Sequence, residues 1–132
     1  MSIKVMLVDD EEIIRDSVEM FLQSEGIHLL TAAGGEECLE HLRDGFRGLI
    51  LMDVMMPEMN GWDTIRKIVG GGLYDGNLIV MLTALDAPDD QMDGIQEYVT
   101  DYLTKPFVPD ELLVVLKYYS SLLKPEGSGD GQ

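Results

Sequence analysis

Several things are scarce in this chain of 132 residues. Cys38 is its only cysteine, so no intramolecular disulfide can form, and the expectation is a reduced, buried thiol on a helix. Basic residues are few, 9 against 25 acids for a formal charge of −16, and no Lys or Arg cluster offsets that balance. A phosphate backbone would be repelled, which excludes direct nucleic-acid binding. No apolar run approaches the ~20 residues that cross a bilayer. Ile3–Val8 is too short for a signal peptide and leads straight into acids, so a cytoplasmic protein without membrane contact is expected. No internal repeat or linker is visible, and a single domain is expected. What remains is a hydrophobic fraction of 45%, that of an ordinary globular domain with one continuous core.

The apolar residues fall into an alternating pattern. Ile3–Val8 reads as a strand buried on both faces, and Asp10, Glu11 and Glu12 open a helix with Ile14, Val18, Phe21 and Leu22 inward. Gly26 stops that helix, and Ile27–Ala32 is a second, weaker strand. A second helix after Gly34-Gly35 carries Cys38, Leu39 and Leu42. Gly48–Asp53 is the third strand. A loop through Pro57 leads to a third helix capped by Asn60, with Ile65, Ile68 and Val69 inward and Trp62 partly in the core. Leu78–Leu82 is the fourth strand. Asp86-Ala87-Pro88 starts a fourth helix anchored only by Met92 and Ile95, and therefore loosely held. Val99–Thr104 is the fifth strand, and Pro109-Asp110-Glu111 opens the last helix, with Leu112, Leu116, Tyr119 and Leu123 at helical spacing. Five strands alternating with five helices predict a doubly wound α/β domain with a parallel sheet over residues 1–124, followed by a frayed tail, 125–132.

Four of the strands end on polar residues: Asp9-Asp10, Asp53, Thr83 and Thr104-Lys105-Pro106. In an open parallel sheet those ends converge on the rim where ligands bind. Asp9, Asp10 and Asp53 supply the oxygen ligands that a hard cation such as Mg²⁺ takes. Without a cation they repel one another, and at least one pKa should rise. One of the adjacent pair could instead cap the first helix. Asp53 could also act as a nucleophile toward phosphorus, a reaction that needs a hydroxyl and a fixed cation beside it. Thr83 and Lys105 can provide both, although Thr83 could be a strand-terminal hydroxyl bonding backbone and Lys105 a solvated strand end, the latter reading being the weaker because Pro106 follows directly. Pro106 after Lys105 suggests a rigid turn, with a cis peptide as one form of it.

The ordered set Asp9-Asp10, Asp53 with Met56-Pro57 and Gly61, Thr83-Ala84, and Asp101-Tyr102-Leu103-Thr104-Lys105-Pro106-Phe107 resembles the receiver domain of two-component response regulators, over roughly residues 3–123. That resemblance implies a flavodoxin-like sheet of order 2-1-3-4-5. It implies Asp53 as phosphoacceptor, with Asp9, Asp10, Asp53 and the Met55 carbonyl serving Mg²⁺. Thr83 and Lys105 would meet the phosphoryl oxygens, and Thr83 with Tyr102 would form the switch. The implied partners are a histidine kinase or histidine phosphotransfer protein and a downstream protein, with a homodimer through the fourth helix, last strand and last helix. No enzymatic activity is implied beyond self-catalysed phosphorylation and slow autodephosphorylation.

Two departures from the family pattern stand out. Tyr98-Val99 replaces a common Gly-Ala, so the packing of the fourth helix on the last strand should differ. Met55 and Leu85 replace polar groups that help water attack the phosphoaspartate, which implies a long-lived phosphorylated form. A haloacid-dehalogenase-type phosphatase would need an acid where Met55 stands, and room for a cap domain. A pseudo-receiver that binds partners without phosphorylation is the other alternative, against which the intact acids, Thr83 and Lys105 weigh.

Overall fold

A computed structural model of the chain describes residues 4–84 and 94–123. Five parallel strands stand in the order β2-β1-β3-β4-β5, the order implied by the sequence. They are β1 (Val5–Val8), β2 (Leu29–Ala32), β3 (Leu49–Asp53), β4 (Leu78–Thr83) and β5 (Asp101–Thr104). Among the described residues the helices are α1 (Glu12–Ser24), α2 (Gly35–Arg43), α3 (Gly61–Gly70) and α4 (Pro109–Ser120), with a 3₁₀ turn at Gln96–Tyr98. Five helices were expected, and the described residues contain four. The expected fourth, with its start at Asp86 and its anchor Met92, falls outside them. Its other anchor, Ile95, is buried.

Strand alternation sorts the core into two layers. Met6, Val8, Ile50, Met52, Ile79 and Met81 meet Cys38, Leu39 and Leu42 of α2 and Ile65 and Ile68 of α3. Val5, Leu7, Leu49, Leu51, Val80 and Leu82 meet Val18 and Leu22 of α1 and Leu112 and Leu116 of α4. Both faces of β1 and β3 are covered, which is why those strands read as continuous apolar runs. Each fully buried Leu or Ile contributes roughly 1.5–3 kcal/mol of transfer free energy, whereas Met20, 71% exposed on the outer side of α1, contributes little. Trp62 belongs fully to the core, not partly as expected. Burial pushes the Cys38 thiol up to about 12, fitting an inert core residue.

Several boundaries differ from the expected ones for visible reasons. Ile27 returns its N–H to the Leu22 carbonyl at 2.8 Å, and Gly26, at φ +76°, makes that left-handed reversal. Strand β2 therefore begins two residues late. Val99 closes the 3₁₀ turn by donating to the Gln96 carbonyl, so β5 starts at Asp101. Leu123 lies beyond α4 yet still packs on the layer that α4 covers.

Candidate functional site

The parallel register delivers the polar residues to one rim. Asp53 is the last residue of β3, paired with Leu82, and Thr83 ends β4 opposite Thr104. Asp9 follows β1 and stays in the sheet by donating its N–H to the Ala32 carbonyl at 3.1 Å. Lys105 follows β5 and donates its N–H to the Thr83 carbonyl at 2.7 Å, and the Lys105–Pro106 peptide is cis.

Asp9 is wholly buried. Its Oδ1 accepts the Glu11 N–H at 2.9 Å, which ties down the residue at the N-cap of α1, while neither Asp9 nor Asp10 is itself the cap. Its Oδ2 accepts from Lys105 Nζ at 3.1 Å, and the same ammonium lies 3.2 Å from Asp53 Oδ1. One cation thus bridges two buried carboxylates. Asp10 is exposed, and an oxygen from each of Asp9, Asp10 and Asp53 falls within 4.8 Å of the others.

The electrostatics follow from that crowding. Burial first, then the negative charge of Asp9, push the Asp53 carboxyl up to about 6. Lys105 and the Met55 amide, which donates to Asp53, pull it back only in part. For Lys105, burial favours the neutral amine, but the charges of Asp53 and Asp9 outweigh it and hold the ammonium above its usual range. The rise expected for one acid is found on Asp53. A divalent cation matches this donor set, since it would relieve the repulsion that Lys105 relieves incompletely.

The loop after Asp53 is closed at its base. Gly61 donates to the Val54 carbonyl at 2.9 Å, and Asn60 Oδ1 accepts the Asp63 N–H at 2.9 Å to cap α3. A Cβ on Gly61 would stand 2.5 Å from the Asp53 carbonyl, so only glycine fits behind the acid. Between these fixed points Glu58 takes a φ of +69° and Met59 donates to the Pro57 carbonyl at 2.7 Å, a tight three-residue turn. Met56 is buried, while the Met55 side chain is 75% exposed.

Thr83 is buried and Tyr102 is 37% exposed. Because Tyr102 pairs with Met81, Thr83 and Tyr102 are diagonal neighbours on one face of the sheet. Asp53 and Leu103 belong by alternation to the other face, with Leu82. Leu85 falls outside the described residues.

Three contacts near the rim or the edge strand had no sequence signal. The Arg15 guanidinium donates from Nη1 to the Asp9 carbonyl at 2.7 Å. The Tyr119 hydroxyl donates to Asp101 Oδ2 at 2.7 Å, and that bond, with burial, pushes the phenol up to about 12. Tyr98 packs edge-on against Tyr74, ring centroids 4.9 Å apart. The bulk of Tyr98 is thus taken up by the turn before β4.

A family model for the response regulator receiver domain matches residues 5–117. Protein PilG of Pseudomonas aeruginosa is 32% identical over 123 residues, 93% of this chain and 91% of that protein. Response regulator MprA of Mycobacterium tuberculosis is 32% identical over 130 residues, 98% of this chain but 56% of that protein. The chain thus spans little more than half the length of that relative. Among solved structures, a CheY-like response regulator receiver domain protein from Methanospirillum hungatei JF-1 shares 45% identity at a TM-score of 0.85, covering 90% of this chain and 94% of that one. Chemotaxis protein CheY4 of Vibrio cholerae shares 34% identity at a TM-score of 0.79, covering 89% and 98%. The sheet order, the acidic rim and a match through most of the chain agree, and this chain belongs to the response regulator receiver family.

Proposed function

We propose that residues 1–124 are a phosphoacceptor module in which Asp53 takes a phosphoryl group from a histidine kinase or a histidine phosphotransfer protein. The observation that carries this reading is the Lys105 ammonium bridging Asp9 and Asp53 beside the exposed Asp10. In the transfer, a carboxylate oxygen of Asp53 forms a bond to phosphorus as the bond from phosphorus to the donor imidazole nitrogen breaks. The leaving nitrogen keeps the electron pair and takes up a proton. Asp9, Asp10, Asp53 and the Met55 carbonyl would hold Mg²⁺, which when bound neutralises charge on the phosphoryl oxygens. Lys105 supplies the second cation, and Thr83 donates its hydroxyl to a phosphoryl oxygen.

The added group brings about −1.5 to −2 charge and three acceptor oxygens. Thr83 gains a charge-assisted bond by moving toward it, and Tyr102, on the same face of the sheet, fills the space released. The output is a surface change read by a downstream protein or by a second copy through the face of β5 and the last helix, in the cytoplasm. The apolar residues Met55 and Leu85 orient water poorly, so the phosphorylated form is long-lived. A phosphate lifetime unchanged by Met55→Asn combined with Leu85→Glu would remove that claim.

The test is incubation with acetyl phosphate and Mg²⁺, read by intact mass. A single phosphate adduct lost in Asp53→Asn and blocked by EDTA is the expected result. No adduct at any Mg²⁺ concentration would mark a pseudo-receiver. Rapid turnover of unrelated phosphoesters would mark a phosphatase.

A further inference from the structure

Every hydrogen-bonding group of Asp9 is engaged. Its N–H goes to Ala32, Oδ1 to Glu11, Oδ2 to Lys105, and its carbonyl to the guanidinium of Arg15 at 2.7 Å. The last of these bonds does something the others do not. A peptide is planar, so the Asp9 carbonyl, the Asp10 N–H and the Asp10 Cα move as one unit. With the Asp9 Cα fixed in the sheet and its carbonyl fixed by Arg15, the plane has no remaining freedom. That plane places the Asp10 Cα, and the bond from the Glu11 N–H to Asp9 Oδ1 at 2.9 Å holds the peptide on its other side, so the direction in which the Asp10 side chain leaves the backbone is confined as well. Asp10 needs that help, since it is exposed and no side-chain hydrogen bond to another described residue holds it. Arg15 is itself half-buried and is the single basic residue of α1, a helix that also carries Glu12, Asp16 and Glu19.

We propose that Arg15 is a positioning residue for cation binding: by locking the Asp9–Asp10 peptide plane it aims the Asp10 carboxylate at the site shared with Asp9 and Asp53. This inference rests on Asp10 being a ligand of the bound cation. Charge and geometry make opposite demands at Arg15. A guanidinium near a cation site repels the cation, so charge alone makes Mg²⁺ bind more tightly once Arg15 is neutralised. Loss of aim makes it bind more weakly, and outer-shell partners of metal ligands typically affect affinity about 10–100-fold. Asp10 is one ligand of several, so the lower end of that range applies.

The experiment is Mg²⁺ titration by calorimetry on the full chain at fixed ionic strength, for wild type, Arg15→Met, Arg15→Lys, Asp10→Asn and the double variant Arg15→Met/Asp10→Asn. Arg15→Met is expected to weaken binding about 10-fold. Arg15→Lys, which keeps a donor, should recover part of the loss. In the Asp10→Asn background Arg15→Met should cost almost nothing, because the residue being aimed has already been disabled. Unchanged or tighter binding in Arg15→Met, or equal weakening in both backgrounds, would overturn the proposal. Should Arg15→Met fail to fold, Arg15→Gln replaces it in the same cycle. If Asp10→Asn binds Mg²⁺ as well as wild type does, the ligand assignment fails first and takes the positioning role with it. That result is distinct from a sound Asp10 that ignores Arg15.

Discussion

Strands β3 and β5 bring Asp53 and Lys105 to within 3.2 Å of each other, yet they are built by different means. Every residue of β3 is buried, between two apolar layers, and Gly61 stands so close behind Asp53 that no side chain fits there. The edge strand β5 buries Leu103 alone, leaving Tyr102 and Thr104 outward. Beyond its backbone pairing with β4, it is held by particular pairs: Asp101 with Tyr119, and Tyr98 with Tyr74 just upstream. Packing holds the centre, where any displacement would cost core contacts. The edge's side-chain bonds are few and worth about 1 kcal/mol each, so less is lost when one of them is broken. The proposed acceptor therefore sits on the packed centre, and the proposed readout on the more lightly held edge.

The contrast can be broken most forcefully at Gly61. Gly61→Ala sets a methyl against the Asp53 carbonyl and the Val54 Cα, neither of which is free to yield. A loss of about 2–4 kcal/mol in urea unfolding is expected, together with impaired adduct formation. Gly70→Ala, with open space at its Cβ, should show neither effect. Wild-type-like stability in Gly61→Ala would mean that the centre is softer than its packing suggests.

Asp53→Asn comes next and has the opposite sign. The Asp53 carboxyl binds its proton more tightly when folded, about 6 against an ordinary 3.8. Between those values the native state carries the extra proton, so metal-free stability falls as pH rises through that window. At neutral pH the neutral amide should stabilise the metal-free protein by about 1–3 kcal/mol, at ~1.4 kcal/mol per pKa unit. The gain should vanish below pH 3.8, where both states are protonated. Denaturant melts in EDTA at several pH values measure it, and a gain that does not depend on pH would point away from charge.

Smaller effects are expected at the edge. Tyr98→Ala removes the ring contact with Tyr74 and should cost about 1–2 kcal/mol. Tyr119→Phe removes one hydrogen bond and should cost about 0.5–1.5 kcal/mol. Both variants should still take up phosphate from acetyl phosphate at the wild-type rate. A slowed rate in either would show that edge and centre are not separable.

The same division governs what the sequence could reveal. Asp9, Asp53, Thr83 and Lys105 were legible because each punctuates an apolar run, and a parallel sheet gathers such ends at one rim. The strand order followed from the ordered set of motifs. Arg15 was not legible, because a basic residue on an acidic amphipathic helix reads as a solvated charge. Its bond goes to a backbone carbonyl, which no side-chain pattern announces. Tyr119 was read as an inward apolar position, and its ring does pack inward while its hydroxyl finds Asp101. Tyr98 stood out by its bulk, but its partner Tyr74 lies on another loop, brought close only by the fold. Contacts made across the sheet by single residues leave no period in the sequence.

The most direct measurement locates the phosphoryl group. The chain is phosphorylated with acetyl phosphate and Mg²⁺, reduced with borohydride to convert an acyl phosphate to homoserine, and mapped by peptide mass. Homoserine at position 53 alone, absent when EDTA is present, is the expected result. Homoserine at Asp9 or Asp10, or modification at 53 that persists in EDTA, would contradict the assignment of Asp53 as a cation-dependent phosphoacceptor.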